Sequence, residues 1–199
     1  MARSDEVPLA GEHSIADMST NNSTDNCIIS SRLRLRPATE DDTDLIVTWR
    51  NKPEVMRFFF YRTPFTEEGH KAWRKEHIAT GACKQFMVCV SDRDTEDHMS
   101  HPIGLCTIQY ITKDHAGYGY LIGEDDMRGR GYGTETTRLA CAYARDALHL
   151  RYLTAEVLAG NTASLKSFEK AGFFREREEE RRIVPTGETV TAVCLRKDL

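Results

Sequence analysis

Arg128-Gly129-Arg130-Gly131-Tyr132-Gly133 places three glycines and two arginines within six residues, after the apolar stretch Tyr118-Gly119-Tyr120-Leu121-Ile122-Gly123 and before a helix-patterned segment from about Thr134 to Leu148. A loop joining strand to helix in this way offers consecutive backbone N–H groups at the positive end of a helix dipole, where phosphate binds. Side chains in place of the glycines would hold a diphosphate away from the backbone, and some of these positions need positive φ. Arg128 and Arg130 add positive charge. A nucleotide P-loop would end in Gly-Lys-Ser/Thr, which is absent, and a dinucleotide turn would follow the first strand of its unit, whereas this loop comes late in the chain. A turn that binds nothing can have the same composition.

Other candidates are scattered. Glu156, in Thr154-Ala155-Glu156-Val157, alternates away from its apolar neighbours. It could reach a cleft through water as a general base, or be a solvated strand residue. His70, His77 and His115 are further candidates for proton transfer, although a lone histidine is more often structural. Arg50 and Asn51 are hard to assign to a core and could reach a sugar or phosphate. Trp49 and Phe58-Phe59-Phe60-Tyr61 suit packing on a sheet or the wall of a pocket.

The elements that must position these residues can be read from periodicity. Residues 1 to 30 are rich in Ser, Thr, Asn and Asp without a hydrophobic period, and are expected to be a disordered tail. Residues 31–199 are expected to form one domain. Arg32 to Pro37 alternates as a half-buried strand, and Thr39 with Asp42 forms a capping box for a helix carrying Leu45, Ile46 and Trp49 and stopping near Asn51-Lys52-Pro53. Thr66 caps a second helix through Trp73, His77 and Ile78. Strands follow at Phe86–Val90 and Ile103–Ile111, an antiparallel hairpin whose polar turn runs from Ser91 to His101, then at Tyr118–Gly123 and, after the loop and its helix, at Tyr152–Leu158. A further helix starts at Asn161 or Thr162 and ends at Gly172. Strands near Phe174–Val184 and Val190–Leu195 close a mixed α/β layer protein.

Composition narrows the function classes. The chain of 199 residues has a formal net charge of -4, which gives no reason to expect nucleic acid as a partner. Its six cysteines lack C-x-x-C spacing and several sit in apolar runs, the pattern of buried thiols in a reducing compartment, so neither a metal site nor a disulfide framework is expected. No leader or membrane-crossing stretch is visible, and a cytoplasmic location is expected. The mixed-sign run Glu176–Arg182 reads as the solvated face of an edge strand, and pairing of such edges could make a homodimer.

Arg128, Gly131 and Gly133 match the signature of the GNAT superfamily of acetyltransferases: Arg or Gln, two residues, Gly, any residue, then Gly or Ala. The Asn161-Thr162-Ala163-Ser164 helix start and the Phe168-Glu169-Lys170-Ala171-Gly172-Phe173 ending strengthen a resemblance that spans roughly residues 32 to 197. It implies a central, mostly antiparallel, splayed sheet of about six to seven strands with about four helices, and acetyl-CoA as co-substrate without a metal. Residues 128–133 and Thr134 would hold the pyrophosphate, and backbone groups of Leu121, Ile122 and Gly123 the pantetheine arm. Asn161 resembles the residue that bonds that arm and can cap its helix at the same time. A backbone N–H of Leu121 or Ile122 would polarise the thioester carbonyl.

The usual acid is missing. Many members carry Tyr seven residues after the helix-start Asn, where this chain has Phe168, and related transferases often carry Glu where it has Gly117. Ser164 resembles the serine that serves as acid in ribosomal-protein N-terminal acetyltransferases, or is a polar residue of a first helical turn. The run Trp49-Arg50-Asn51, the aromatic patch around Phe58, and Thr66-x-Glu68-x-His70 resemble the amino-sugar nucleotide branch, and Val55-Met56-Arg57-Phe58 the polyamine branch. The resemblance thus implies a small-molecule amine acceptor, with a protein N-terminal acetyltransferase or a catalytically weak acyl-CoA-binding module as alternatives.

Overall fold

The computed structural model describes residues 27–90 and 101–199. Among them, eight strands form one open sheet in the order β1-β2-β3-β4-β5-β6-β8-β7. The strands are β1 (Ile28–Ile29), β2 (Leu33–Pro37), β3 (Cys83–Val90), β4 (His101–Gln109), β5 (His115–Ile122), β6 (Tyr152–Leu158), β7 (Phe174–Arg182) and β8 (Thr189–Asp198). Five α-helices accompany them: α1 (Thr43–Asn51), α2 (Pro53–Met56), α3 (Glu67–Trp73), α4 (Tyr132–Asp146) and α5 (Thr162–Lys170). Every neighbouring pair is antiparallel except β5 with β6.

The sheet and its class are as expected, with one strand and one helix more. The added strand is β1, which the expected tail boundary at residue 30 had excluded. Ile28 and Ile29 pair with Leu35 and Arg34, and Ile28 is buried. Two isoleucines at the end of a polar segment carry no period of their own, so only the partner strand reveals them. The rest of the expected tail, 1–26, lies outside the described residues, as does the expected polar turn up to residue 100. The added helix is α2. Pro53 stops α1 and then serves as the first residue of a new turn, where its missing N–H costs nothing.

Alternation along the strands sorts side chains onto two faces. Tyr118, Leu139, Leu153, Phe168 and Leu195 belong to the layer under α4 and α5, and Ile46, Trp49, Met87, Leu105 and Leu121 to the layer under α1. Each fully buried large apolar side chain contributes about 1.5–3 kcal/mol.

The β5–β6 junction positions the site. These strands pair only at His115↔Tyr152, Ala116↔Leu153 and Gly117↔Thr154. Beyond that point β5 stays on β4 as far as Ile122, while β6 stays on β8 as far as Leu158. The sheet therefore opens into a wedge whose edges present unpaired backbone groups. Five of the six cysteines are buried, and none of the six is in a disulfide. No helix among the described residues is long and apolar enough to cross a membrane.

Candidate active site

The glycine loop sits at the open end of the wedge. Gly129 has φ +74° and Gly131 φ +85°, and Gly131 is the N-cap of α4. Residues with a Cβ pay about 1–2 kcal/mol in that region. Glu135 N–H bonds to Gly131 O, so the N–H groups of Tyr132, Gly133 and Thr134 are the ones the helix leaves unmatched. Gly133 lacks a side chain for a second reason: a Cβ there would lie 2.6 Å from the ring of Tyr120. Thr134 Oγ1 lies 3.1 Å from Ser167 Oγ and ties α4 to α5.

The two arginines divide their roles. Arg128 turns inward: its Nε donates to Ile122 O (3.0 Å), and its guanidinium pairs with Asp125 (2.9 Å). It shapes the loop and does not lie free beside a phosphate, contrary to the sequence reading. Arg130 is exposed. Tyr132 lies under the guanidinium of Arg32, at 4.9 Å.

The wedge edge of β5 also differs from the expectation. Gly123 N–H bonds to Ile103 O, and Gly123 O accepts from Lys52 Nζ (2.7 Å), so Gly123 has nothing to offer the gap. Leu121 shares its direction, since the Leu121 carbonyl lies against Gly104 of β4. By the two-residue period of a strand, the groups facing the gap are those of Tyr120 and Ile122. Ile122 O already accepts from Arg128, which leaves its N–H. Tyr120 went unrecognised as a site residue. The pattern Tyr118-Gly119-Tyr120 does place both tyrosines on one face, but nothing in it says that β6 departs after Gly117.

Across the gap, Asn161 caps α5, its side chain accepting from Ser164 N (3.2 Å). Ser164 and Ser167, on α5, line the cleft together with Tyr120. Phe168 is buried, with its ring centroid 5.5 Å from that of Tyr120 and 5.0 Å from that of Phe173.

The opposite face is built from the α1–α3 region. Arg50 stacks on Phe59 at 3.6 Å and on Phe65 at 5.0 Å, and burial pushes its pKa down to about 10. No ion pair to it occurs among the described residues. Phe58 is half-buried and lines the cleft. Asn51, expected to touch substrate, is instead a clamp: its Nδ2 donates to Phe65 O (2.7 Å) and its Oδ1 accepts from Phe65 N (2.8 Å). His70 is another correction. It is fully buried, Nδ1 3.2 Å from Thr43 Oγ1 and Nε2 3.4 Å from Gln85 Oε1, and burial lowers its pKa. Glu156 is exposed on the rim, held by Arg181 (3.0 Å). Glu156, Glu179 and Cys194 converge, but Arg181 pairs with both carboxylates and Cys194 donates to Glu179.

Loop, gap and aromatic face line one continuous cleft of about 1180 Å³. Pockets for one small ligand run to about 300–1,000 Å³, so this cleft has room for two substrates end to end. Gly117 and Gly119 floor it without side chains, and a Cβ at Gly119 would meet nothing within 4 Å.

Comparisons with known proteins agree with this geometry. An uncharacterized protein of Methanocaldococcus jannaschii is 23% identical over 152 residues, covering 74% of this chain, although the match spans only 29% of that protein's length. An uncharacterized N-acetyltransferase, p20, of Bacillus licheniformis is 27% identical over 163 residues, covering 76% of this chain and 87% of its own. The spermidine N-acetyltransferase of Vibrio cholerae, solved with CoA and spermine, shares the fold at a TM-score of 0.74 with 20% identity, over 85% of this chain and 96% of that one. The acetyltransferase (GNAT) domain model matches residues 32–174. The chain belongs to the GNAT acetyltransferase family, and its domain is an acetyl-CoA-dependent N-acetyltransferase.

Proposed function

We propose that the chain transfers the acetyl group of acetyl-CoA to a primary amine of a small molecule, by direct attack in a ternary complex. The observation that carries this reading is the continuity of the cleft, which runs from the glycine loop through the β5–β6 gap to Arg50 without an intervening wall. The diphosphate lies on the N–H groups of Tyr132, Gly133 and Thr134, with Arg130 as the outward cation. The pantetheine arm lies in the gap, bonded by Ile122 N–H, with Asn161 Nδ2 facing it. The thioester carbonyl is polarised by Tyr120 N–H, a fixed donor that need not reorganise as charge develops.

No carboxylate stands at Gly117, and Glu156 is engaged by Arg181. The amine therefore loses its proton to water before attack, and juxtaposition of the two substrates supplies most of the acceleration. Arg50 sharpens the acceptor class among amino sugars, polyamines and related metabolites. A stacked guanidinium with an accessible fork suits a carboxylate or phosphate, so the favoured acceptor is an amine that also carries an anionic group, such as an amino-sugar nucleotide. A polyamine would meet a like charge there.

The test is free-thiol release from acetyl-CoA across a panel of amino-sugar nucleotides, polyamines and N-terminal peptides, with Gly131→Glu as control. Acceptor-dependent release, greatest with the anionic amines and lost in the control, is expected. Release with peptides alone would replace the small-molecule reading, and acetyl-CoA binding without release to any acceptor would reduce the domain to a binding module.

A further inference from the structure

The turn between β1 and β2 is docked on the glycine loop, because α4 packs against both of these strands as well as β5. Ser30 N–H bonds to Leu33 O (2.8 Å) and Ser30 Oγ accepts from Leu33 N–H (2.9 Å), which closes the turn around Arg32. Arg32 then reaches the start of α4. Its Nε donates to Glu135 Oε2 (2.8 Å), its Nη2 pairs with the same carboxylate, and its Nη1 donates to Arg130 O (3.3 Å). Ser30 Oγ donates to the other carboxylate oxygen of Glu135 (2.5 Å). The guanidinium lies over Tyr132 at 4.9 Å, and Nη2 is 3.7 Å from where a Cβ of Gly131 would stand.

These bonds bear on an anion in two ways. Glu135 is the acidic residue in the first turn of α4. A carboxylate there suits the helix dipole, but it stands within a turn of the N–H groups left unmatched at Tyr132, Gly133 and Thr134, where it would repel a second anion. Arg32 cancels its charge. The Arg130–Gly131 peptide is trans, so its N–H and C=O point opposite ways. With Arg130 O drawn toward Arg32, the Gly131 N–H is turned to the other side and this carbonyl stays out of the anion's place. The loop's own arginines do not reach Glu135: Arg128 is engaged by Ile122 and Asp125, and Arg130 is exposed.

We propose that Arg32 is a positioning residue for acetyl-CoA: by neutralising Glu135 and holding the Arg130 carbonyl to its own side, it keeps the glycine loop receptive to an anionic diphosphate. This rests on the reading of that loop as the diphosphate site. Arg32 acts through Glu135 and Arg130 and need not touch the donor. The charge that readies the loop thus comes from the β1–β2 edge of the sheet, far from the loop along the chain.

The test is acetyl-CoA binding to the full chain by calorimetry, which needs no acceptor. Arg32→Ala should raise the acetyl-CoA Kd about tenfold, the worth of a charged hydrogen bond. The unliganded variant should melt within about 4 °C of the wild type, because an exposed ion pair contributes little to folding. Adding Glu135→Gln to Arg32→Ala should bring the Kd back to within about threefold of the wild type, and Glu135→Gln alone should change it less than about twofold. That rescue is what a merely structural role would not produce. Arg32→Gln keeps most of the stem and a donor while losing the charge, so it should weaken binding nearly as much and serves if alanine unsettles the turn. A Kd unchanged by either Arg32 variant would overturn the assignment. So would a Kd that stays raised when Glu135→Gln is added, which would make Arg32 a direct phosphate ligand or a brace for the turn. Gly131→Glu separates this role from the reading beneath it. If that variant loses acetyl-CoA while Arg32→Ala keeps it, the loop remains the diphosphate site and only the role of Arg32 falls. If Gly131→Glu keeps acetyl-CoA, both fall.

Discussion

The two walls of the cleft are made of different materials. On the side we assign to acetyl-CoA the groups on offer are backbone: the N–H groups that open α4, the free edge of β5 and the α5 cap, with glycine where a side chain would intrude. On the side we propose for the acceptor they are side chains from a helical region, such as Arg50 on Phe59, over a floor of Gly117 and Gly119. Backbone geometry recognises what every reaction of this kind shares, a diphosphate and an amide-bearing arm. Side chains are free to vary without disturbing that frame. On the proposed reading, the first wall answers which donor, and the second which amine.

The contrast can be broken most severely at Gly131. Gly131→Glu puts a Cβ at φ +85° and a carboxylate beside the unmatched N–H groups, and should raise the acetyl-CoA Kd at least about a hundredfold by calorimetry, since backbone strain of about 1–2 kcal/mol adds to charge repulsion. Retained affinity would mean that the loop is not the diphosphate site. Next comes Arg50→Ala, for which kcat/KM for an anionic amine should fall about ten- to hundredfold, the worth of a charged hydrogen bond, with the acetyl-CoA Kd unchanged. Arg50→Lys should recover little, because a lysine neither forks nor stacks on Phe59 in the same way.

Gly123→Ala would push a methyl to 2.2 Å from the Trp49 ring, and should cost about 1–3 kcal/mol in chemical denaturation while sparing residual chemistry. His70 yields a pH effect confined to the helical side. Its folded pKa lies below the ordinary 6.5, so the unfolded chain binds more protons as the pH falls below 6.5, and folding stability should decline from there downward. Urea midpoints in Thr43-contacting His70→Gln should fall less steeply with acid. The smallest effect belongs to Glu156→Gln, below about threefold in kcat, because an exposed ion pair is worth about 0–1 kcal/mol. A tenfold loss would give the acceptor wall a chemical role and sharpen the division.

The acetyl-CoA wall was also the more legible in sequence, for the same material reason. A loop that works through its backbone must announce itself in composition, so Gly129, Gly131 and Gly133 could be read directly, and Asn161 appears at its cap as expected. The cleft's other half depends on pairings distant along the chain. Nothing in Asn51 reveals that Phe65 waits to bond it on both atoms, nor in His70 that Thr43 and Gln85 close over its ring. Which groups of β5 face the gap was equally hidden. It is settled by which neighbour leaves first, a property of β6 and β8 as much as of β5. Tail and sheet divide similarly: β1 has too few residues to carry a period and exists through Leu35 and Arg34.

The far end of β5 joins the two walls. Gly123 is gripped by Ile103 and Lys52, its Cα face lies on Trp49, and Trp49 Nε1 donates to the adjacent Glu124 (2.7 Å). The strand proposed to run alongside the pantetheine arm is thus riveted to α1, the helix that carries Arg50. Any free energy that one guest spends on stiffening this strand is spared to the other, whichever arrives first. Donor and acceptor affinities should accordingly be thermodynamically linked by one reciprocal factor, and loosening the rivet with Trp49→Phe should bring that factor toward unity.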